Sequence, residues 1–152
     1  MHDAPIHRFV SPFSSISLAF NNAFNLAGRS SRGAFWWFFA FWAAGTCILI
    51  FLSDHVNILF WVGSAIPLFA VFVRRLHDVG VSALNFFLGA GVWVLVWYWG
   101  MVAMIDQVSS AFFSNVVIFV IGVPSCVGLL LCLAAGTRGT NKFGRDVEAG
   151  RF

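Results

Sequence analysis

Three short clusters of basic and polar residues interrupt a chain that is otherwise almost entirely apolar. They occupy residues 28–32, 74–80 and 136–144. Arginine binds phosphate and carboxylate groups with paired donors, and glycine-rich turns expose backbone amides, so these residue types suit an anion. The candidate residues for binding an anionic group, a lipid headgroup or a partner are Arg29, Arg32, Arg74, Arg75, His77, Asp78, Asn141 and Lys142.

The second cluster carries the most specific arrangement. If a helix continues through it, Arg74 and Asp78 are four residues apart and can pair, which leaves Arg75 and His77 with unused donors. Two arginines carry more charge than one carboxylate neutralises. Asp78 therefore either forms a structural ion pair or orients His77 or an arginine for a ligand, and the sequence leaves both open.

The first and third clusters also have plainer interpretations. Arginines beside apolar runs, such as Arg29 and Arg32, commonly serve as topology anchors. Gly136 can end a helix, with the following glycines forming a surface turn. Each interpretation stands beside the binding one.

No arrangement in the sequence predicts catalysis. The HExxH, GxSxG and P-loop patterns are absent, and His77 with Asp78 lacks the nucleophile and oxyanion partners of a catalytic set. Cys47, Cys126 and Cys132 lie inside apolar runs without CxxC spacing, so we expect no disulfide, metal or cofactor. The prediction is a protein that is not an enzyme, with a membrane enzyme acting on lipid-linked phosphate kept as an alternative.

The elements that must position these clusters are membrane helices. With 60% hydrophobic and 10% charged residues, the chain exceeds what a soluble surface tolerates. The predicted fold is all-α, a single membrane domain over 1–152 with four transmembrane helices in an up-down bundle, because the links between them are short. The predicted spans are 34–52, 56–73, 83–105 and 111–135, followed by a cytoplasmic tail at 136–152.

A further helix is predicted before the first span, over 12–27. Ser11 can cap it, Pro12 suits its first position and Gly28 can end it. Apolar residues recur at helical spacing on one face, as in an amphipathic helix lying in the membrane interface. They are Phe13, Ile16, Phe20, Phe24 and Ala27. Alternatively, a seam of alanines packs this helix on the cytoplasmic end of the bundle.

The distribution of basic residues predicts the orientation. If the four runs span, all nine basic residues share one side, while the other side receives only Asp54, His55 and Asp106. The nine are Arg8, Arg29, Arg32, Arg74, Arg75, Arg138, Lys142, Arg145 and Arg151. The positive-inside rule then places both termini in the cytoplasm. The net charge of +3 is small and lies beside apolar runs, so nucleic acid is not an expected partner.

The three clusters resemble the motifs of a bacterial inner-membrane family catalogued as domain of unknown function 805. The matches are Gly28, Arg29, Arg32, Phe35 and Trp36; Arg74 to Asp78 with Gly80 and Ser82; and Gly136, Thr137, Gly139, Asn141, Lys142, Phe143 and Gly144. The chain departs from the family where phenylalanines at 86 and 87 replace tryptophans, and where Val147 replaces a proline. The resemblance implies a small multi-pass protein of the bacterial inner membrane and brings no established activity.

The leading hypothesis is a non-enzymatic membrane module whose cytoplasmic face binds an anionic group. A lipid headgroup is the nearest candidate, and docking of a cytoplasmic or membrane protein fits the same face. The alternative is a small oligomeric channel or transporter, although the predicted spans contain no Asp, Glu, Lys, Arg or His. Whether the chain forms a homo-oligomer is left open by the sequence.

Overall fold

The computed structural model describes residues 11–51, 54–102 and 110–145. These ranges contain five α-helices and no strand, apart from one isolated bridge between Asn141 and Gly144. In chain order the helices are α1 (Pro12–Asn21), α2 (Arg32–Leu49), α3 (Asp54–Asp78), α4 (Ala83–Val102) and α5 (Ser110–Leu133). The prediction of an all-helical chain is confirmed.

The four long helices follow the predicted apolar runs, with different ends. α2 begins at Arg32 because Ser31 caps it, its hydroxyl accepting from the Ala34 amide at 3.2 Å. α3 continues past the predicted end at 73 and includes the second cluster as far as Asp78. The predicted residues 52 and 103–105 lie outside the described ranges.

The predicted extent of the first helix is wrong. α1 starts as expected, with Ser11 as cap and Pro12 as first residue, but it ends at Asn21 instead of 27. The Asn22 side chain donates to the Leu18 carbonyl at 2.9 Å, which caps the last turn. Asparagine side chains compete with helical hydrogen bonding in this way, and that competition ends the helix before Gly28.

The described residues form two compact units, one comprising 11–51, 54–80 and 135–145 and the other 81–102 and 110–134. In the first, α2 and α3 run antiparallel. The Phe35 and Phe72 rings lie 6.2 Å apart at one end, and those of Phe41 and Phe60 lie 5.7 Å apart further along. The second unit consists of α4 and α5. Its residues Trp93, Trp97 and Phe119 form an aromatic cluster with centroids 5.2 to 5.9 Å apart.

α1 packs in the first unit through small side chains. Ser15, Ala19 and Ala23, spaced four apart, are 1%, 2% and 9% exposed. Phe13 and Phe24 are instead 85% and 86% exposed. Two alanines of the predicted seam, Ala19 and Ala23, are thus buried. Phe13 faces outward, as does Phe24 beyond the end of the helix, whereas Phe20 packs against Phe38 of α2 with ring centroids 5.5 Å apart.

One helix in the described ranges, His55–Asp78, is long and apolar enough to cross a membrane. Two shorter apolar helical stretches, Ala83–Trp99 and Gly122–Leu133, lie within α4 and α5. Length and composition therefore hint at a membrane protein. The four spans, the up-down bundle and the single domain stay predictions. So do the predictions for the first ten and last seven residues, which lie outside the described ranges.

Candidate functional site

The three predicted clusters meet at the C-terminal end of α3. The last carbonyl groups of a helix lack intrahelical partners and need donors from elsewhere. The Ser30 amide donates to the Arg74 carbonyl at 3.0 Å, and the Thr137 amide donates to the Asp78 carbonyl at 2.8 Å. Thr137 of the third cluster thus caps the helix that carries the second, while Ser30 of the first cluster binds a carbonyl one turn before that end.

Asp78 lies at the centre of this junction. Arg29 Nε lies 2.8 Å from Asp78 Oδ1, and Arg75 Nη1 contacts Asp78 Oδ2. The side chains of Arg29 and Asp78 are each 1% exposed, and that of Arg75 is 0% exposed. Opposite charges this deeply buried are retained only when they are paired and hydrogen-bonded, and both carboxylate oxygens meet that condition.

The expected pair between Arg74 and Asp78 is wrong. Arg74 Nη1 instead donates to the backbone carbonyl of Asn22 at 2.7 Å and to that of Asn25. These carbonyls are presented to it because α1 ends at Asn21 and the chain turns. Arg75, expected to keep spare donors, is the helix residue that pairs with Asp78.

Arg29 joins the first cluster to the third. Its Nη1 donates to the Gly139 carbonyl at 2.6 Å, and its Nη2 donates to the Thr137 carbonyl at 2.5 Å. With Asp78 on Nε, its guanidinium is surrounded by protein acceptors. A topology anchor at the headgroup level would be exposed, so this side chain has a structural role.

Gly136 is needed for space rather than for a turn. A Cβ atom there would lie 2.8 Å from Asp78 Cγ and 3.0 Å from Oδ1, closer than atoms can pack. Its φ is not positive, unlike that of Gly139 (77°) and Gly144 (143°). The interpretation of Gly136 as a helix cap is wrong, because α5 ends three residues earlier, at Leu133. The buried carboxylate of Asp78 is the reason for this glycine.

His77 is held by the first and third clusters. Its Nδ1 lies 3.2 Å from the Gly28 carbonyl, which can only accept, so Nδ1 carries the proton. Its ring stacks on Phe143 with centroids 4.0 Å apart and planes 6° apart. Lys142 Nζ lies 4.9 Å from the centroid of the same phenylalanine ring. The imidazole is thus fixed in position beside a cation.

Asn141 fastens the third cluster. Its Nδ2 donates to the His77 carbonyl at 3.0 Å and to Thr137 Oγ1 at 2.8 Å. Its Oδ1 accepts from the Phe143 amide at 2.8 Å. Because both ends of this amide are engaged within the protein, its contacts support a structural role more directly than contact with a ligand.

The remaining candidates differ in exposure. Lys142 and Arg32 are exposed, and Arg32 is the first residue of α2. Sequence reasoning gave no role to Thr137 and Phe143, although both stand in the matched motif. It also overlooked the carbonyls of Asn22 and Asn25, for which an asparagine-rich run is the only signal. No three His, Cys, Asp or Glu residues are grouped as metal ligands in the part of the chain that the structure describes.

Comparison with known proteins identifies the family. Residues 23–145 match the family described as "Protein of unknown function (DUF805)", and the chain belongs to it. It is similar to the "Uncharacterized protein YiiR" of Escherichia coli strain K12 and to that of E. coli O157:H7. Identity is 32% over 135 residues in each case, covering 82% of this chain and 87% of the relative. No solved structure matches.

Proposed function

We propose that this member of the DUF805 family is a four-pass protein of the bacterial inner membrane, with both termini in the cytoplasm. Its motif cluster at the C-terminal end of α3 binds an anionic group on the cytoplasmic side, and the headgroup of an anionic lipid is the nearest ligand. The proposed role is binding, without a reaction.

Helix lengths support the four spans. α2, α3, α4 and α5 contain 18, 25, 20 and 24 residues, or about 27, 37, 30 and 36 Å at 1.5 Å per residue. The hydrocarbon core of a bilayer is about 30 Å thick. Each helix reaches across it within a few ångströms, and the two longer helices have room to tilt.

The outward side chains of these helices support a lipid environment. Large apolar residues on all four helices are more than half exposed, which is unusual for a protein surrounded by water. Examples are Ile48 at 61%, Leu59 at 72%, Trp99 at 67% and Leu130 at 63%. Contact between such side chains and lipid acyl chains costs no free energy, whereas their exposure to water is unfavourable.

Charge supports the binding role, and one observation carries it. Three arginines of the motifs, Arg29, Arg74 and Arg75, come to the same end of α3, where Asp78 is the carboxylate that pairs with two of them. Lys142 adds a further positive charge, because its Nζ lies over the ring of Phe143, which stacks on His77. The cluster therefore keeps an excess of positive charge, and basic pockets on the cytoplasmic side are a known means of holding lipid headgroups.

The same geometry supports binding over catalysis. A general acid or base must reach the proton that it transfers. Both oxygens of Asp78 are occupied by arginines and the side chain is 1% exposed. His77 is stacked against Phe143 and directs Nδ1 to a backbone carbonyl, so the two residues do not form an acid–base pair facing solvent.

Lipid selectivity of the wild-type chain tests this proposal. The full chain, purified in a neutral detergent, is titrated with phosphatidylglycerol and separately with phosphatidylcholine of the same acyl chains, with native mass spectrometry counting bound lipids. We expect at least about tenfold preference for the anionic lipid, or about 1.4 kcal/mol. Both lipids carry a phosphate, but the choline of phosphatidylcholine adds a positive charge that the excess positive charge of the cluster repels. Equal retention of both lipids would show that the proposed function is wrong.

A further inference from the structure

A cavity of about 340 Å³ lies beside the ion-pair junction, within the first unit. Its walls come from α1, the segment that follows it, the start of α2 and the last turns of α3. This volume is at the lower end of the range of small-molecule sites, about 300–1,000 Å³. Arg29 borders the cavity, but its guanidinium is held by Asp78 and by backbone carbonyls.

Arg74 is the charged side chain that gives this cavity its character. It lines the cavity and is 7% exposed. Its Nη1 takes two backbone carbonyls, and in the described ranges no carboxylate pairs with it. A buried cation normally pairs with an anion, because neutral carbonyls compensate only part of the cost of removing its charge from water. An anion supplied from outside the chain would complete the pairing.

The rest of the wall also favours negative charge. Ser31 and Ala34 bring the first turn of the 18-residue helix α2 to the cavity, and the N-terminal end of a helix carries partial positive charge. Asn25 uses its Oδ1 for the Ala27 amide, which leaves its Nδ2 as a donor near the cavity rim. None of the described residues that line the cavity carries a carboxylate.

The rim is apolar on the side of α1. Leu18 lines the cavity and is 52% exposed, and Phe13 on the same helix is 85% exposed. A lipid phosphate in the cavity could therefore keep its acyl chains against apolar side chains. A free phosphate ion would gain nothing from this rim.

We propose that this cavity is the headgroup site, and that it binds the phosphate of an anionic phospholipid through Arg74. This inference rests on the proposed function and assigns the binding role to Arg74, not to the arginines locked on Asp78. The N-terminal end of α2, with its partial positive charge, contacts the same phosphate in this proposal.

Two substitutions test the site, one removing the charge and one filling the space. In Arg74→Gln the cation is lost, and in Ala34→Leu a larger side chain occupies the cavity while Arg74 is kept. The matched controls are Arg138→Gln, which removes an exposed positive charge, and Ala40→Leu, which enlarges an exposed residue of α2 outside the cavity. Each full-length variant is titrated with a short-chain phosphatidylglycerol in neutral detergent, and with inorganic phosphate in a parallel experiment.

We expect Arg74→Gln and Ala34→Leu each to weaken lipid binding about tenfold or more, and the two controls to bind within about twofold of wild type. Inorganic phosphate should bind the wild type more weakly than the lipid does. If phosphate binds as tightly as the lipid, the lipid assignment is wrong.

Other results distinguish failure of the site from failure of the function. If the wild type prefers the anionic lipid but both cavity variants bind it equally well, the cavity assignment is wrong and the proposed function stands. If only Arg74→Gln weakens binding, the effect is one of charge and the cavity is again excluded. Should Arg74→Gln not fold, as judged by its melting curve, Ala34→Leu decides alone.

Discussion

Asp78 holds together residues that are far apart in the chain. Arg29 lies 49 residues before it and Arg75 three residues before it. All three side chains are at least 99% buried, so the energy of each charge depends on the others. Neutralising one member of a buried ion-pair cluster is more costly than replacing all of its members by apolar residues. The charges that remain are then buried without a partner.

We therefore predict that Asp78→Asn strongly destabilises the fold. The substitution keeps the shape of the side chain but leaves two buried guanidinium groups uncompensated, which should cost about 3–5 kcal/mol. Thermal unfolding in detergent, followed by circular dichroism, measures the change. Lys142→Gln, at an exposed position, is the matched control and should stay within about 0.5 kcal/mol of wild type. An unchanged melting temperature for Asp78→Asn would contradict the role given to this ion pair.

The composition of this cluster could be predicted from the sequence, but its pairing could not. The helical spacing of Arg74 and Asp78 is a local rule, and it gave the wrong partner. Arg29 reaches Asp78 from another part of the chain, and Arg74 is drawn to carbonyls beyond the end of α1. Gly136 illustrates the same limit, since the carboxylate that excludes a side chain there belongs to residue 78.

At the scale of helices, the contact between α2 and α3 depends on one glycine. A Cβ atom at Gly45 would lie 2.5 Å from Phe60 Cζ and 3.0 Å from two other atoms of that ring. The Phe60 ring also packs on Phe41, one turn earlier on α2, with centroids 5.7 Å apart. The Phe60 ring is therefore contacted on two sides. The absence of a side chain at Gly45 lets α2 and α3 approach this closely.

Gly45→Ala should accordingly lower the free energy of unfolding by about 1–3 kcal/mol, the usual cost of overpacking. Gly63→Ala, on α3, is the matched control because no atom lies within 4 Å of a Cβ there. That change should be neutral or should stabilise the helix by up to about 1 kcal/mol, since alanine favours helix more than glycine. Chemical denaturation in mixed micelles measures both, and equal behaviour of the two variants would refute the packing argument.

Helices were the most predictable feature of the chain, because each apolar run is long and uncharged. Their ends were less predictable. α1 stops early because asparagines satisfy its carbonyls, and α3 extends through polar residues because the other clusters cap its last turn. Both effects depend on hydrogen bonds that hydropathy does not detect.

At the scale of the whole molecule, the exposed cysteines offer a test of the spans. Cys47 on α2 and Cys126 on α5 are exposed on the protein surface, whereas Cys132 is buried. A water-soluble maleimide reacts with the thiolate, which does not form in hydrocarbon. We predict that neither Cys47 nor Cys126 reacts in membrane vesicles, and that all three thiols react after denaturation in SDS.

The orientation is tested in the same assay with one added thiol. Arg145→Cys, made in a chain without the other cysteines, places a thiol at an exposed position directly after the third cluster. It should react in inside-out vesicles and resist the reagent in intact spheroplasts. Labelling of Cys47 or Cys126 in sealed vesicles would contradict the spans, and labelling of Arg145→Cys in spheroplasts would contradict the orientation.

The apolar runs predicted the helical content, which the structure confirms, whereas the membrane class stays a prediction. The sequence could not predict which basic residues are buried, because positive charge beside an apolar run has the same sequence pattern whether it faces solvent or an aspartate. Distinguishing Arg75 from Lys142 required the positions of residues from all three clusters.

The capping of α3 by Thr137, which lies 59 residues further along the chain, has a consequence for biosynthesis. While the ribosome is still translating the fourth apolar run, Arg75 and Asp78 have already been made, but the acceptors that complete Arg29 and the donors for the last α3 carbonyls have not. The junction can close only after the third cluster has been made. A truncated product would therefore present an unfinished polar end, a feature by which a quality-control protease could tell it from the finished chain.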